Sequence, residues 1–220
     1  MLAQIKTLAA SHGLAVFGGF QVTQSDGLPK GARTLLLLGP KEPGFWPHLT
    51  GQPEWLDGAP DPVDRWSRRV IGRMACDLGR PGATVKALFP FGGPPHHPFY
   101  QWALRSGHAW DSPVRLLVHH KAGLFVSYRG ALALPEAIPL PAPPPKPCNS
   151  CLEKPCLGAC PASALTDAGY DLAACHTWLD DPAGQGCMKM GCAVRRACPV
   201  SVAYARMPDQ SAYHMRQFHK

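Results

Sequence analysis

The stretch CNSCLEKPCLGACP, residues 148–161, decides the fold of the C-terminal part of the chain. Its four cysteines are Cys148, Cys151, Cys156 and Cys160, and a proline follows the last of them. Four more cysteines come after this stretch, and a proline again follows the last: they are Cys175, Cys187, Cys192 and Cys198. Core cysteines are scattered along a chain, whereas metal ligands are clustered. The clustering of eight of the nine cysteines therefore predicts a metal site.

The spacing is that of a bacterial ferredoxin with one departure. Ferredoxins with two clusters use the run C-x2-C-x2-C-x3-C-P, in which the fourth cysteine binds the other cluster. Here four residues rather than two separate Cys151 from Cys156. Short gaps allow one tight loop to supply three thiolates, and the proline fixes the direction of the backbone after the fourth. Small residues such as Gly158 and Gly191 allow backbone N–H groups to approach the sulfurs. We therefore expect two [4Fe–4S] clusters.

Two other uses of clustered cysteines remain open. Structural zinc takes four cysteines in paired C-x2–4-C knuckles, and the interleaved Cys-Pro steps fit that pattern poorly. Disulfides need an oxidising compartment, and the N-terminal residues MLAQIKTLAASHG lack an apolar segment with a cleavage site. The ninth cysteine, Cys76, lies in a predicted helix, where we expect a small core residue rather than a reactive thiol.

A proline-rich segment separates the cysteines from the rest of the chain. It reads PEAIPLPAPPPKP, residues 135–147, and seven of its 13 residues are proline. Such a segment is an extended, semi-rigid connector, although it also suits a ligand for another protein module. The sequence therefore predicts a domain at residues 1–134, a linker at 135–147 and a second domain at 148–220.

The N-terminal part has a mixed pattern of helices and strands, which predicts an α+β fold. A helix is expected from Pro62 to Leu78, with Asp61 as its cap and an apolar face that includes Val63 and Trp66. The other predicted helices cover residues 2–10 and 98–106. The predicted strands cover residues 34–38, 84–89, 115–120 and 123–134.

Composition limits the partners. The net charge is +7, and most of the excess lies before residue 148. A basic surface attracts nucleic acid, phosphate or anionic thiols such as glutathione, but an ordinary solvated face has the same composition, and nucleic acid is not our expectation. No apolar run approaches the roughly 20 residues of a membrane-spanning helix. We therefore expect no membrane partner and a cytoplasmic protein.

Two histidine pairs stand out. His119 and His120 are neighbours on a predicted strand, where successive side chains point to opposite faces. We therefore expect them not to share one metal ion, but each to reach a ligand or to form a hydrogen bond within a turn. His96 and His97 lie in the loop GGPPHHP, residues 92–98.

From Leu28 to Pro161 the order of features resembles epoxyqueuosine reductases and the related reductive dehalogenases, which are corrinoid iron–sulfur proteins. The similar stretches are LPKGARTL at residues 28–35, AGLF at residues 122–125 and the eight cysteines. In those families a cobalamin domain precedes a two-cluster ferredoxin module. The resemblance implies that one cluster is bound by Cys148, Cys151, Cys156 and Cys198. It implies that the other is bound by Cys160, Cys175, Cys187 and Cys192.

The N-terminal part is also similar to the cblC-type cobalamin-processing protein of animals. The similar stretches are DPVD at residues 61–64 and VHHKAGLFVSYRG at residues 118–130. That family binds cobalamin with its lower base detached and removes the upper ligand, by reduction or by transfer to glutathione. The resemblances imply a nitroreductase-like N-terminal domain and a ferredoxin-like module after it. They imply that the corrinoid or thiol is bound by His119, Gly123, Phe125, Tyr128 and the anion-binding Arg129.

The chain departs from epoxyqueuosine reductases at two places. Those enzymes have an acidic residue in the segment that aligns with residues 89–95, where this chain reads FPFGGPP. The helical repeats that they use for tRNA have no counterpart after the last cysteine. The epoxyqueuosine reaction is therefore not the first expectation.

Three functions remain open. The first is an iron–sulfur oxidoreductase that takes electrons from a flavodoxin or a reductase and delivers them to a base-off cobalamin, whose upper ligand it removes. The second is a two-cluster ferredoxin-type electron carrier without a corrinoid. The third is an enzyme that acts on a modified tRNA or a small electrophile, as epoxyqueuosine reductase does. The first is preferred because a pure electron carrier does not need the N-terminal domain.

Overall fold

A computed structural model describes all residues from Met1 to Lys220. The helices are α1 Leu2–Ser11, α2 Phe45–Thr50, α3 Pro53–Leu56, α4 Pro62–Leu78, α5 Phe99–Arg105, α6 Leu172–Asp180, α7 Gln185–Met190, α8 Ala193–Ala197, α9 Pro199–Ala203 and α10 Pro208–Phe218. The strands are β1 Leu14–Gln21, β2 Thr34–Pro40, β3 Lys86–Leu88, β4 Ala109–Asp111, β5 Leu117–His119 and β6 Gly130–Leu134. The predicted mixture of helices and strands is confirmed. None of the helices has the length and apolar character needed to cross a bilayer.

The chain folds into two compact units, and each is made of two separate segments. The N-terminal unit comprises Met1–His108 and Ser127–Pro143. The cysteine unit comprises Ala109–Val126 and Pro144–Lys220. The C-terminal segment of the cysteine unit thus begins inside the proline-rich linker predicted at residues 135–147. The unit also includes a segment from the middle of the chain, Ala109–Val126.

The N-terminal unit is built on a four-stranded antiparallel sheet with the order β1-β2-β6-β3. Every residue of β2 is buried, because the strand is central and Leu35–Leu38 point alternately to both faces of the sheet. Helix α4 packs against β3 and β6, and helices α1 and α5 pack against β1. These contacts form the core of the unit.

Several sequence predictions hold and several change in extent. The helix from Pro62 to Leu78 has the predicted bounds, but the Asp61 side chain forms no capping hydrogen bond and the residue has a φ of 53°. The strands predicted at 115–120 and 123–134 shorten to β5 and β6, because residues 119–123 form a turn in which His119 and Gly123 exchange backbone hydrogen bonds. The proline-rich segment has no regular structure before Pro147.

The prediction that Cys76 is a core residue is wrong, because its side chain is exposed. Helix α4 buries Val70 and Met74 on its inner face. Cys76 comes two residues after Met74, and at 3.6 residues per turn that places it on the opposite side of the helix.

A brief treatment of the native protein with iodoacetamide is expected to label Cys76 first, since it is the one exposed cysteine. Reaction of a thiol requires access as well as ionisation. Mass spectrometry of the time course measures this order. The Cys76→Ser variant is the control, and a fast phase that persists in it would contradict the assignment.

The cysteine unit contains the hairpin of β4 and β5 and helices α6 to α10. The hairpin pairs Ala109 with His119 and Asp111 with Leu117. Between the hairpin and the cysteines lies an apolar cluster, which includes Val114, Val118, Leu124, Leu165 and Val194. Cys156 and Cys198 belong to the same cluster, so the apolar core of this unit is built directly around cysteine side chains.

Candidate metal centre

Four cysteines line one cavity of about 260 Å³ in the cysteine unit: Cys148, Cys151, Cys156 and Cys198. Two of them lie in short 3₁₀ turns, Pro147–Asn149 and Pro155–Gly158, each with a proline in its first turn. Cys198 is the residue immediately before α9. The rest of the wall is mainly apolar and includes Pro113, Val118, Leu124 and Val200. We call these four residues the first cysteine group.

The thiols of the first group lie within electrostatic reach of one another. Burial raises the pKa of Cys156, and negative charge on Cys198 and Cys148 raises it further. Burial also raises the pKa of Cys148, where Lys146 acts in the opposite direction. Several thiolates in one apolar cavity are unfavourable unless a cation lies among them, and a bound metal removes the thiol protons. The cavity therefore suits a metal centre better than four free thiols.

The remaining cysteines form a second group: Cys160, Cys175, Cys187 and Cys192. Burial raises the pKa of Cys175, and negative charge on Cys192, Cys160 and Cys187 raises it further. Burial also raises the pKa of Cys187, with Cys192 and Cys160 acting in the same direction. Cys175, Cys187 and Cys192 lie 15, 27 and 32 residues after Cys160 in the sequence, and helices α6 and α7 bring these distant thiols together.

Helices α6 and α7 position two members of the second group. Cys175 lies on α6, whose N-terminus is capped by the Asp171 carboxylate accepting from the Ala174 N–H at 2.9 Å. Cys187 lies on α7, and Cys192 follows that helix after Gly191, which has a φ of 89°. A side chain at position 191 would collide with Ser211 of α10. Glycine is therefore required for the turn that brings Cys192 back toward Cys187.

Hydrogen-bond donors point at the sulfurs of the second group. The Tyr170 hydroxyl donates to the Cys175 sulfur over 3.3 Å. The Ala164 backbone N–H donates to the Cys160 sulfur over 3.2 Å. Donors of this kind stabilise thiolates and adjust the potential of a metal centre.

The two groups are interleaved along the chain. Cys160 lies in the first cysteine-rich stretch but belongs to the second group, and Cys198 comes last but belongs to the first. Helix α8, Ala193–Ala197, connects Cys192 of the second group to Cys198 of the first. This is the division that the family resemblance implied.

None of the nine cysteines forms a disulfide. The four thiols of each group also equal the number of ligands that structural zinc takes.

The five residues that the resemblance assigned to a corrinoid divide between the two units. His119, Gly123 and Phe125 lie in the cysteine unit, and Tyr128 and Arg129 lie in the N-terminal unit. Each of the five residues has contacts within its own unit.

His119 has a structural role in its turn. It is fully buried, and its Nδ1 atom accepts from the backbone N–H groups of Lys121 and Ala122, each at 3.2 Å. The expectation of a hydrogen bond within a turn is therefore confirmed. The expectation that His119 and His120 point to opposite faces is wrong, because β5 ends at His119 and the two ring centroids lie 4.3 Å apart.

Gly123 and Phe125 are held by the helices that follow the last cysteine. A Cβ atom on Gly123 would collide with the backbone and hydroxyl of Ser201, and the Ser201 hydroxyl accepts from the Leu124 N–H at 2.8 Å. The Arg206 guanidinium lies 5.1 Å from the centroid of the Phe125 ring. Both residues thus help to fix the wall of the first cysteine cavity, to which Leu124 contributes.

Tyr128 and Arg129 lie immediately before β6, the last strand of the N-terminal unit. Tyr128 is 8 % exposed and packs edge-on against Phe17, with centroids 6.2 Å apart. Its hydroxyl is buried without a hydrogen-bond partner, and burial raises the pKa of this group. Arg129 lies 3.7 Å from Asp64; burial raises the pKa of Asp64, and Arg129 opposes that rise.

Three residues that contact the cysteines or the cavity wall were not predicted from the sequence: Tyr170, Arg195 and Ser201. Tyr170 and Ser201 carry no signal in the sequence, because their roles depend on tertiary contacts. Arg195 does carry one, since the pair Arg195-Arg196 lies between two cysteines that belong to different groups.

No family model matches the sequence, and no curated protein or solved structure was found to be similar to it. Function is therefore inferred from the cysteine geometry and from the residues around it.

Proposed function

We propose that this protein is an iron–sulfur oxidoreductase whose cysteine unit holds two [4Fe–4S] clusters and which delivers electrons to a cobalamin bound base-off. The observation that supports it is the sorting of eight cysteines into two groups of four, one of them around a single cavity. On this proposal the cysteine unit is ferredoxin-like and the N-terminal unit is nitroreductase-like. A flavodoxin or a reductase supplies the electrons.

The residues present fit such clusters. Each group offers four thiols, which is the number that a [4Fe–4S] cluster takes. The cavity of the first group is walled by apolar side chains such as Val118 and Leu124, which exclude water. The second group receives an O–H donor from Tyr170 and an N–H donor from Ala164. When bound, the clusters supply one-electron transfer.

Two features of the N-terminal unit favour a second ligand in addition to the clusters. A buried hydroxyl without a partner costs about 1–3 kcal/mol, and Tyr128 carries one. A bound ligand with an acceptor atom would remove that cost. Arg129 places a cation beside the half-buried Asp64, and corrinoids and thiol cofactors carry amide or carboxylate groups that a cation can bind. These features favour a corrinoid acceptor over a plain electron carrier.

The test is a titration of the anaerobically purified protein with cob(II)alamin, followed by EPR. We expect the cobalt signal to change to that of base-off, four-coordinate cobalt at stoichiometric protein. If the signal remains that of free cob(II)alamin at high protein concentration, the corrinoid assignment fails. Iron and sulfide analysis on the same sample tests the clusters independently, and a protein with clusters but no corrinoid binding is the ferredoxin-type carrier.

The Tyr128→Phe variant is expected to bind cob(II)alamin several-fold more weakly while the ligand-free protein melts at the same or a higher temperature. The reason is that the substitution removes a buried polar group that has no partner in the ligand-free protein. Equilibrium titration and thermal unfolding measure the two effects. Unchanged affinity would remove Tyr128 from the proposed site.

A further inference from the structure

Two serines line the first cysteine cavity, and their hydroxyl groups have different surroundings. The Ser150 hydroxyl donates to the backbone carbonyl of Pro147 over 3.1 Å. Ser112 comes from the distant segment Ala109–Val126, and its hydroxyl is buried without a hydrogen-bond partner. The chain itself therefore satisfies one hydroxyl of the cavity wall and leaves the other unsatisfied.

The tip of the β4–β5 hairpin holds Ser112 in place. Its backbone N–H donates to the Leu116 carbonyl at 2.9 Å, and its carbonyl accepts from the Arg115 N–H at 3.0 Å. The Arg115 side chain in turn donates from Nε to the carbonyl of Asp167 at 2.8 Å. Ser112 is only 6 % exposed. The turn thus fixes the residue at the cavity wall, while the O–H bond of its side chain remains able to rotate toward an acceptor.

The cavity offers this hydroxyl one kind of acceptor. Buried polar groups nearly always have a hydrogen-bond partner, so an unsatisfied one calls for an explanation. Pro113, Val118 and Leu124 also line the cavity, and their side chains accept no hydrogen bond. The other side chains of the wall are mainly the four cysteines of the first group. A neutral thiol is a weak acceptor, whereas a thiolate bound to a metal centre carries negative charge and is a stronger one.

We propose that the Ser112 hydroxyl donates a hydrogen bond to a sulfur atom of the first cluster or of its ligands, and thereby raises the reduction potential of that cluster. This inference rests on the proposed function. Reduction by one electron adds negative charge to the sulfurs, and a hydrogen bond is stronger to a more negative acceptor. The donor therefore stabilises the reduced state more than the oxidised state. The proton stays on the serine oxygen, and no covalent bond changes.

The test is an anaerobic redox titration of the reconstituted native protein and of the Ser112→Ala variant, followed by EPR. We expect the ratio of reduced to oxidised first cluster at a fixed poise to fall about tenfold, which corresponds to about 59 mV for one electron. Without clusters, Ser112→Ala is expected to melt at the same or a higher temperature, because the substitution removes a buried polar group that has no partner.

Ser150→Ala is the matched control. It removes a hydroxyl from the wall of the same cavity, but one that already donates to the Pro147 carbonyl. Both midpoint potentials are expected to stay unchanged in this variant. Ser112→Thr keeps a hydroxyl at position 112 and is expected to keep the potential close to that of the native protein.

The shift is assigned to one cluster with a second background. Cys175→Ser removes a ligand of the second group only, so the shift caused by Ser112→Ala must persist in it. In that background, electron–nuclear double resonance in H2O and D2O should show an exchangeable proton coupled to the reduced first cluster, and Ser112→Ala should remove its signal. This proton measurement also decides the matter if Ser112→Ala fails to fold.

Unchanged potentials in Ser112→Ala, an equal shift in Ser150→Ala or absence of the exchangeable proton would each overturn the inference. So would a lower melting temperature of cluster-free Ser112→Ala together with loss of the first cluster, which would show a structural role alone. Absence of iron and sulfide in the native protein would instead refute the proposed function.

Discussion

Replacement of Cys198 by serine is expected to lower the iron content of the reconstituted protein from about eight to about four atoms per chain, since each [4Fe–4S] cluster has four irons and four cysteine ligands. Sulfide should fall in parallel. The lost cluster is the first, because Cys198 lines the cavity with Cys148, Cys151 and Cys156. Colorimetric iron and sulfide analysis after anaerobic reconstitution measures the effect.

Double variants show which cysteines share a cluster. Cys148→Ser combined with Cys198→Ser should lose no more iron than either alone, because both ligands belong to one group. Cys175→Ser combined with Cys198→Ser should lose nearly all of it. If Cys198 instead shared a cluster with Cys175, Cys187 and Cys192, its neighbours in the sequence, the two results would be exchanged. The pair of double variants therefore separates interleaved binding from sequential binding.

Gly123→Ala is expected to destabilise the cysteine unit by about 2–4 kcal/mol, from overpacking together with an unfavourable backbone conformation. Gly123 has a φ of 55°, and a Cβ atom there would collide with Ser201. Relief of the collision would pull Leu124 away from the first cavity. We therefore expect a lower melting temperature and partial loss of the first cluster, measured by thermal unfolding and iron analysis.

Gly82→Ala is the matched control. Gly82 also has a positive φ, of 79°, but nothing lies within 4 Å of the position of its Cβ atom. Alanine at position 82 therefore has the cost of the unfavourable backbone conformation but causes no steric collision. If Gly123→Ala melted like Gly82→Ala and only weakened cobalamin binding, Gly123 would have the role that the family resemblance implied rather than a packing role.

Local sequence patterns predicted part of the N-terminal unit, but they missed strand β1 and helices α2 and α3. Helix α4 has the bounds that Pro62 and Gly79 indicated, because proline at the first position and glycine after the last are local signals. Strand β2 follows from an unbroken apolar run. The side-chain cap at Asp61 failed because that residue adopts a left-handed conformation, which no pattern in the sequence indicates.

Features that depend on distant contacts could not be predicted. The stretch from His119 to Phe125 was expected to serve a corrinoid, yet Gly123 packs on Ser201, which lies 78 residues further along the chain. The division of the cysteines into groups could be predicted from the sequence, because the Cys-Pro steps indicate that the fourth ligand binds a second cluster. The partly buried position of the Arg195 side chain was not predictable, since two adjacent arginines ordinarily indicate a solvated surface, although their place between cysteines of different groups is visible in the sequence.

The segment Ala109–Val126 has a consequence for synthesis of the chain on the ribosome. The N-terminal unit is completed only by β6 and the residues that follow it, up to Pro143. The hairpin of β4 and β5 emerges earlier, but its partners in the cysteine unit, such as Ser201, emerge last. At about 5–20 residues per second, Val118 and Leu124 remain without these partners for several seconds. A nascent chain of this protein therefore carries an uncovered apolar hairpin until its cysteines are synthesised. If the proposed clusters are inserted at that stage, chaperone binding and cluster insertion compete for the same interval.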